Sequence, residues 1–192
     1  MTILGICGSP RKGNTEWMLA TLLAAAEAAG AQTELLLLRR AEVRPCRGCL
    51  ACERRDLAGR GSCVIDDDMR VILPKLLAAD VLVLATPGYM GLLSGLLKGF
   101  LDRTCPVWPA LAGKGVAGLA VAEEGIGSAL GNLRTYGDLL KLRWLGGVTA
   151  LAKVPGDAAR QPALARKLEE LGRKLSRPAT SPERRSGTRR SP

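Results

Sequence analysis

The stretch Ile3-Leu4-Gly5-Ile6-Cys7-Gly8-Ser9-Pro10-Arg11-Lys12-Gly13-Asn14-Thr15 decides the fold that we expect for this chain. Its first part, Ile3–Cys7, is a short apolar run, which is typical of a strand buried on both faces of a parallel sheet. A polar loop follows, and after it comes the apolar pattern of a helix over Thr15–Ala29. Strand, loop and helix in this order form the first unit of a doubly wound α/β sheet.

The rest of the chain repeats this alternation of strand and helix. Further strands are predicted at Glu34–Leu38, Val81–Ala85, Val116–Ala122 and Thr149–Val154, and further helices at Asp66–Ala79, Leu92–Thr104, Ser128–Leu142 and around Leu164–Leu175. We therefore expect an α/β fold with a doubly wound, five-stranded parallel sheet in the order 2-1-3-4-5. The domain should cover residues 1–176, and the Ser/Arg/Pro-rich residues 177–192 should form a disordered basic tail.

Composition excludes several classes of function. The 192 residues contain no histidine, which removes Ser-His-Asp hydrolysis, Cys-His proteolysis and every His-ligated metal site. The net charge of +10 comes without a nucleic-acid motif, so we expect no nucleic-acid partner. Neither a secretory signal nor a membrane span is visible, because Pro87 and glycines break the longest uncharged run. We expect a cytoplasmic protein.

The loop Gly8–Thr15 has the features of a phosphate site. It lies at the carboxyl end of a strand and before a helix, whose N-terminus offers free N–H groups and a positive dipole end. Short polar and basic residues accompany Gly13 in this loop: Ser9, Arg11, Lys12, Asn14 and Thr15. The Rossmann pattern G-x-G-x-x-G is missing, and Asn14 stands where a Walker A loop needs Lys. One terminal phosphate, as in FMN, fits best; the alternative is an ordinary turn capped by Asn14 or Thr15.

Two further loops should lie at the same edge of the sheet. Strand three runs into Thr86-Pro87-Gly88-Tyr89-Met90-Gly91, which would face the phosphate loop across the crevice and contact a flat ring. Alone, this stretch is equally consistent with a plain Pro-Gly turn. Strand four ends before Glu123–Ser128, where Glu124 and Gly125 are weaker candidates for the same site.

In the order of these motifs the chain resembles the NADPH-dependent FMN reductase group of flavodoxin-like proteins, and within it the iron-sulfur flavoproteins. The resemblance rests on Gly8–Thr15, Cys46–Cys52, Cys63–Met69, Thr86–Gly91 and Ser94–Lys98, and it covers about residues 1–155. It implies FMN, with Ser9, Arg11, Asn14 and Thr15 on the phosphate and Thr86–Gly91 beside the ring. It also implies a homodimer or homotetramer with FMN near a subunit interface.

The loop 42–65 contains four of the six cysteines, namely Cys46, Cys49, Cys52 and Cys63. The run Cys-x2-Cys-x2-Cys with a more distant fourth thiol is the pattern of a [4Fe–4S] site, whereas zinc more often takes two separated Cys-x2-Cys pairs. Ten residues separate Cys52 from Cys63, more than is usual in the iron-sulfur members. Thiol–disulfide chemistry, or loop cysteines without a function, are the alternatives.

Three functions are compatible with these features. The first is an FMN-dependent oxidoreductase that passes electrons from NAD(P)H through the flavin to a small-molecule or protein acceptor, which needs no histidine because the flavin carries the chemistry. The second is an iron-sulfur flavoprotein electron carrier that a partner protein reduces. The third is a non-enzymatic module in which the cysteine loop binds zinc or a partner.

Overall fold

The computed structural model describes residues 1–54 and 62–177. The predicted disordered tail lies outside the described residues from position 178 onward, and so does the middle of the cysteine loop. The strands are β1 (Thr2–Cys7), β2 (Gln32–Leu37), β3 (Val81–Tyr89), β4 (Leu92–Leu93), β5 (Gly115–Ala122) and β6 (Arg143–Leu151). The α-helices are α1 (Asn14–Ala28), α2 (Met69–Ala78), α3 (Gly95–Asp102), α4 (Trp108–Leu111), α5 (Ala129–Leu139) and α6 (Pro162–Leu175).

The sheet has the order β2-β1-β3-β5-β6, and all of these pairs are parallel. This confirms the predicted order 2-1-3-4-5, because β4 only pairs with the end of β3. The runs in β1, β3 and β5 are almost wholly buried, as expected for strands covered by helices on both faces. The loops after these three strands therefore lie together at the carboxyl edge.

The structure corrects several predicted boundaries. Strand β3 was predicted to end at Ala85 but continues to Tyr89, so Thr86–Tyr89 of the predicted loop belong to the strand. Leu92–Leu93 is not the start of a helix: it forms an antiparallel bridge with Gly88–Tyr89, and α3 begins only after Ser94, whose hydroxyl caps the helix by accepting the N–H of Leu97 at 3.1 Å. The last strand begins at Arg143 rather than Thr149. Its glycines hid it in the sequence, although Gly147 packs so tightly on Gly118 that a Cβ would lie 3.1 Å from the Gly118 carbonyl oxygen.

Two apolar cores lie on opposite faces of the sheet. On one face, α1 packs on β1, β3 and β5, and α6 packs on α1 and β6; Leu22 and Leu168 belong to this core. On the other face, α2, α3 and α5 contribute Leu76, Phe100 and Leu133. Both cores are aliphatic apart from a few aromatic rings, so burial of methyl and methylene groups is the main force that holds the strands in place.

The ends of the cysteine loop are fastened by a buried ion pair. Arg103 Nη1 lies 2.6 Å from Asp67 Oδ2, and neither side chain is more than 1% exposed. Arg103 also donates to the Arg44 carbonyl oxygen at 2.6 Å, while Asp67 accepts the Arg44 N–H at 2.9 Å and the Met69 N–H at 3.1 Å. Burial would raise the pKa of Asp67, but these hydrogen bonds outweigh it and lower that pKa below its usual value.

We expect Asp67→Asn to lower the free energy of unfolding by about 3–5 kcal/mol at neutral pH, because it leaves the Arg103 charge buried and unpaired. The adjacent variant Asp66→Asn is the matched control: Asp66 pairs with Arg70 on the surface, where a salt bridge contributes about 0–1 kcal/mol. Urea unfolding of both variants beside the parent measures the difference. Equal, small losses would contradict a structural role for the buried pair.

The same experiment has a pH signature. Since the folded-state pKa of Asp67 is lowered, its stabilisation is fully present above the unfolded pKa of about 3.9 and disappears as pH falls through the folded value. The gap between the parent protein and Asp67→Asn should therefore be constant near neutral pH and close only in acid below about pH 4.

Candidate functional site

The predicted phosphate loop forms a tight turn at the end of β1. The Ser9 hydroxyl donates to the Arg11 carbonyl oxygen at 2.8 Å and accepts the Arg11 N–H at 3.2 Å, so it closes the turn on itself. Ser9 is buried, whereas Arg11 and Lys12 are exposed. The turn thus directs two cations to solvent beside the start of α1.

The N-terminus of α1 has no side-chain cap. Its cap residue is Gly13, and its first main-chain hydrogen bond runs from the Trp17 N–H to the Gly13 carbonyl oxygen at 3.0 Å. The N–H groups before Trp17 therefore lack an intrahelical acceptor and are suited to an anion. Glu16, the one acidic residue of the first turn, is paired with Arg39 at 2.9 Å, which neutralises its charge.

The side chain of Asn14 has partners at the other end of the chain. Its Nδ2 donates to the Val154 carbonyl oxygen at 3.0 Å, and its Oδ1 accepts the N–H groups of Gly156 at 3.0 Å and Ala158 at 3.2 Å. The amide thus ties the segment after β6 to the phosphate loop. The predicted amide contact with phosphate is not what the structure favours; the Asn14 N–H, at the start of α1, is the group suited to an anion. Thr15, which was also predicted to contact the phosphate, is a buried residue with 3% of its surface exposed.

Ser94 joins the β3–β4 hairpin (Val81–Leu93) to the phosphate loop. Its hydroxyl donates to the Gly8 carbonyl oxygen at 2.6 Å, and its N–H donates to Thr86 Oγ1 at 2.9 Å. Thr86 is fully buried, so its hydroxyl holds Ser94 and is not exposed to a ring edge as predicted. A Cβ on Gly8 would lie 2.5 Å from the Leu97 Cβ, so only glycine permits this close approach.

The tip of the hairpin presents apolar side chains to solvent. Met90 is 98% exposed and has a left-handed backbone with φ of 51°, and Tyr89 is 38% exposed. Pro87 is buried and Gly88 is half-buried beside Ala122 of β5. Left-handed backbone at a methionine costs free energy, which is typical of functional loops.

The loop Glu123–Ser128 is hydrogen-bonded to the tip of the β3–β4 hairpin. The Ser128 N–H donates to the Gly91 carbonyl oxygen at 2.7 Å, and its hydroxyl donates to the same atom at 3.1 Å. Gly127 has a φ of 54°, and a Cβ there would lie 2.5 Å from the Gly91 oxygen. Glu124 and Gly125 are exposed above this contact. The three predicted loops therefore form one continuous edge.

The predicted metal ligands are not brought together. Cys46 and Cys49 are exposed, and Cys52 and Cys63 are partly buried. Among residues 1–54 and 62–177, no group of three or more Cys, Asp or Glu side chains is arranged to hold a metal ion. The side chain of Cys63 lies beside Arg103, and Cys52 Sγ instead lies 3.7 Å from Cys105 Sγ. The described geometry does not fit an iron-sulfur cluster without rearrangement of the loop.

Cys105 lines an apolar cavity of about 980 Å³ between α3, α5 and the cysteine loop. Trp108, Leu139 and Tyr136 contribute to its wall. Burial raises the pKa of Tyr136 to about 12, although its 2.9 Å hydrogen bond with Thr104 opposes this. Burial, followed by the contact with Cys52, raises the pKa of Cys105 to about 12. The sixth cysteine, Cys7, is fully buried in β1.

The sequence assigned no role to Ser94, Arg103 or Cys105, although Ser94 begins one of the motifs that carry the family resemblance. Ser94 had a usable signal, since serine directly before Gly95 and a helical pattern is a preferred N-cap. Arg103 and Cys105 had none, because their partners lie 36 and 53 residues away in the chain.

Comparisons with known proteins identify the family to which the sequence is similar. The family model described as NADPH-dependent FMN reductase matches residues 1–155. An iron-sulfur flavoprotein of Methanosarcina thermophila is 43% identical over 105 residues, covering 54% of this chain and 52% of that protein. One from Archaeoglobus fulgidus is 29% identical over 183 residues, covering 92% and 79%. The chain spans about half the length of the first curated relatives it matches.

Solved structures show the same fold. An NADH:FMN oxidoreductase in its apo form superposes with a TM-score of 0.69 at 24% identity, covering 93% of this chain and 91% of that one. An archaeal flavodoxin gives 0.63 at 12% identity, with 92% and 96% covered. Within the described ranges, no helix is long and apolar enough to cross a membrane. The sheet order, the phosphate loop at α1 and the match over residues 1–155 lead to one conclusion: the chain belongs to the NADPH-dependent FMN reductase family, with a flavodoxin-like fold.

Proposed function

We propose that this protein is an FMN-dependent oxidoreductase that takes electrons from NAD(P)H and passes them through the flavin to a small-molecule or protein acceptor. The observation that carries the proposal is the uncapped N-terminus of α1, flanked by Arg11 and Lys12 and linked to the β3–β4 hairpin through Ser94. The site offers N–H donors and cations for one phosphate and an edge of exposed backbone and apolar side chains for a ring.

Each part of the edge has a binding role in this proposal. The N–H groups of Gly13, Asn14 and Thr15 donate to the phosphate, and Arg11 and Lys12 neutralise its charge. Ser9 keeps the turn closed. The main chain of Pro87–Gly91 and the side chains of Tyr89 and Met90 lie beside the ring, with Glu124 and Gly125 at its far side. Bound FMN would supply the hydride chemistry, so the chain needs no histidine.

Oligomerisation and location belong to the same proposal. The exposed tip of the hairpin, with Tyr89, Met90 and Leu92, suits burial against a second copy, so we expect a homodimer or homotetramer. The six cysteines are all free thiols, which suits the reducing cytoplasm. We expect no nucleic-acid or membrane partner.

The direct test of the activity is anaerobic mixing of the FMN-loaded protein with NADPH or NADH. We expect the absorbance of oxidised flavin to disappear with one pyridine nucleotide and to return when an electron acceptor is added. If neither nucleotide reduces the flavin while a chemical reductant does, the protein is a carrier that depends on a partner rather than a reductase.

Arg11→Ala should weaken FMN far more than riboflavin, because riboflavin lacks the phosphate that Arg11 would face. The expected loss for FMN is about 1–3 kcal/mol. Ser9→Ala should act in the same direction by loosening the turn. Fluorescence titration of both ligands measures the difference, with Arg70→Ala as the control, since Arg70 is an exposed arginine on α2. Equal losses for FMN and riboflavin would show that the loop does not hold phosphate.

A second function, an iron-sulfur flavoprotein electron carrier, is supported by the spacing of Cys46, Cys49, Cys52 and Cys63 and by the names of the matched relatives. In this case the loop would rearrange around a [4Fe–4S] cluster, because the described thiols are apart. The contacts that Arg44 makes with Asp67 and Arg103 do not involve a cysteine, so this rearrangement does not require them to break.

Iron and acid-labile sulfide per chain, measured on protein purified without oxygen, test this second function. We expect both to be present and to fall sharply in Cys49→Ser but not in Cys7→Ser, whose thiol is buried in β1. Near-zero iron after anaerobic reconstitution would contradict the cluster. Zinc in its place, without bound flavin, would favour the non-enzymatic module.

A further inference from the structure

Two thiols from distant parts of the chain are in contact beside the apolar cavity. Cys52 Sγ and Cys105 Sγ are 3.7 Å apart, although 53 residues separate them in sequence. Each lies on a short helical turn, Ala51–Glu53 and Cys105–Val107, and the two turns pack against each other. Cys105 lies outside the cysteine loop and outside the set of four that the sequence pattern indicates.

Both thiols are positioned by buried structure. Before Cys105, Arg103 is fixed by its ion pair with Asp67, and the Thr104 hydroxyl bonds to the Leu101 carbonyl oxygen at 2.7 Å and to Tyr136. On the other side, Arg44 lies near the start of the loop that carries Cys52. Arg103 binds its carbonyl oxygen, and Asp67 accepts its N–H. One ion pair therefore fixes the base of both thiol-bearing segments.

The site is open to small molecules. Cys105 is partly exposed and lines the cavity of about 980 Å³, together with Cys46, Trp108 and Leu139. Lys98 and Asp102 also line it, and they form an ion pair at 2.6 Å, so their charges balance. A small disulfide can enter a cavity of this size and approach the pair.

We propose that Cys52 and Cys105 form a reversible disulfide by exchange with small-molecule disulfides. One thiol, as its thiolate, attacks a sulfur of the reagent R–S–S–R and releases R–S⁻, which leaves a mixed disulfide on the protein. The second thiol attacks the protein sulfur of that bond and releases the second R–S⁻. The two protein thiol protons end on the released thiols, so two cysteines are oxidised and one disulfide is reduced to two thiols.

The structure favours closure because little movement is needed. The sulfur atoms must approach from 3.7 Å to about 2.05 Å, and the packed turns already bring the two backbones together. Closure links residues 52 and 105 and so fixes the cysteine loop to the segment after α3. Cys52 cannot ligate iron while it is in this bond, so the disulfide belongs to the iron-free protein. The inference does not depend on FMN.

The test uses reduced, iron-free, full-length protein and oxidised glutathione as the probe. After incubation, free thiols are alkylated, and tryptic peptides are identified by mass spectrometry. We expect residues 48–54 to be linked to residues 104–114, with fragmentation placing the bond on Cys52 and Cys105, and alkylation of both cysteines to be lost together. Dithiothreitol should restore it.

Cysteine-to-serine variants identify the two residues that form the disulfide. Cys105→Ser should accumulate a glutathione mixed disulfide on Cys52, because the second thiol is missing. Cys49→Ser, on the same tryptic peptide, is the matched control and should retain the link at the parental yield. The proposal is overturned if Cys105 stays fully alkylated in the parent protein, or if the link survives in Cys52→Ser and disappears in Cys49→Ser.

Discussion

The close approach of Gly8 to the start of α3 is the constraint on which the candidate site depends. Ser94 spans this contact: its hydroxyl binds the Gly8 carbonyl oxygen and the Leu97 N–H, and its own N–H binds buried Thr86. The end of β1, the end of β3 and the start of α3 are therefore fixed to one another. Since any Cβ at position 8 would collide with Leu97, a glycine is required where the phosphate loop leaves the sheet.

A second contact, the ion pair between Arg103 and Asp67, fixes the cysteine loop. The Arg103–Asp67 pair is buried and serves both ends of the cysteine loop and the segment that leads to Cys105. A buried pair of this kind gives little net stability compared with an apolar replacement, but it specifies where charged segments must lie. In this protein it holds Arg44, near the start of the cysteine loop, at the carboxyl edge, where the proposed flavin site also lies.

The regular elements were predictable because their patterns are local. Apolar runs such as Ile3–Cys7 indicate buried strands. A polar loop directly before a helix indicates an anion site, and this signal does not depend on contacts with distant parts of the chain. Leu92–Leu93 was misplaced because two leucines suit a helix and a strand equally well. Asn14 was assigned to phosphate because its partners after β6 lie about 140 residues away. The contact between Cys52 and Cys105 was hidden for the same reason.

We propose that the edge formed by the phosphate loop and the β3–β4 hairpin binds FMN. The test is mass spectrometry of the cofactor that heat releases from the purified protein, repeated after reconstitution with a mixture of FMN, FAD and riboflavin. We expect FMN in both samples, because the uncapped N-terminus of α1 with Arg11 and Lys12 suits one terminal phosphate. Retention of FAD or riboflavin in preference to FMN, or of no flavin at all, would contradict it.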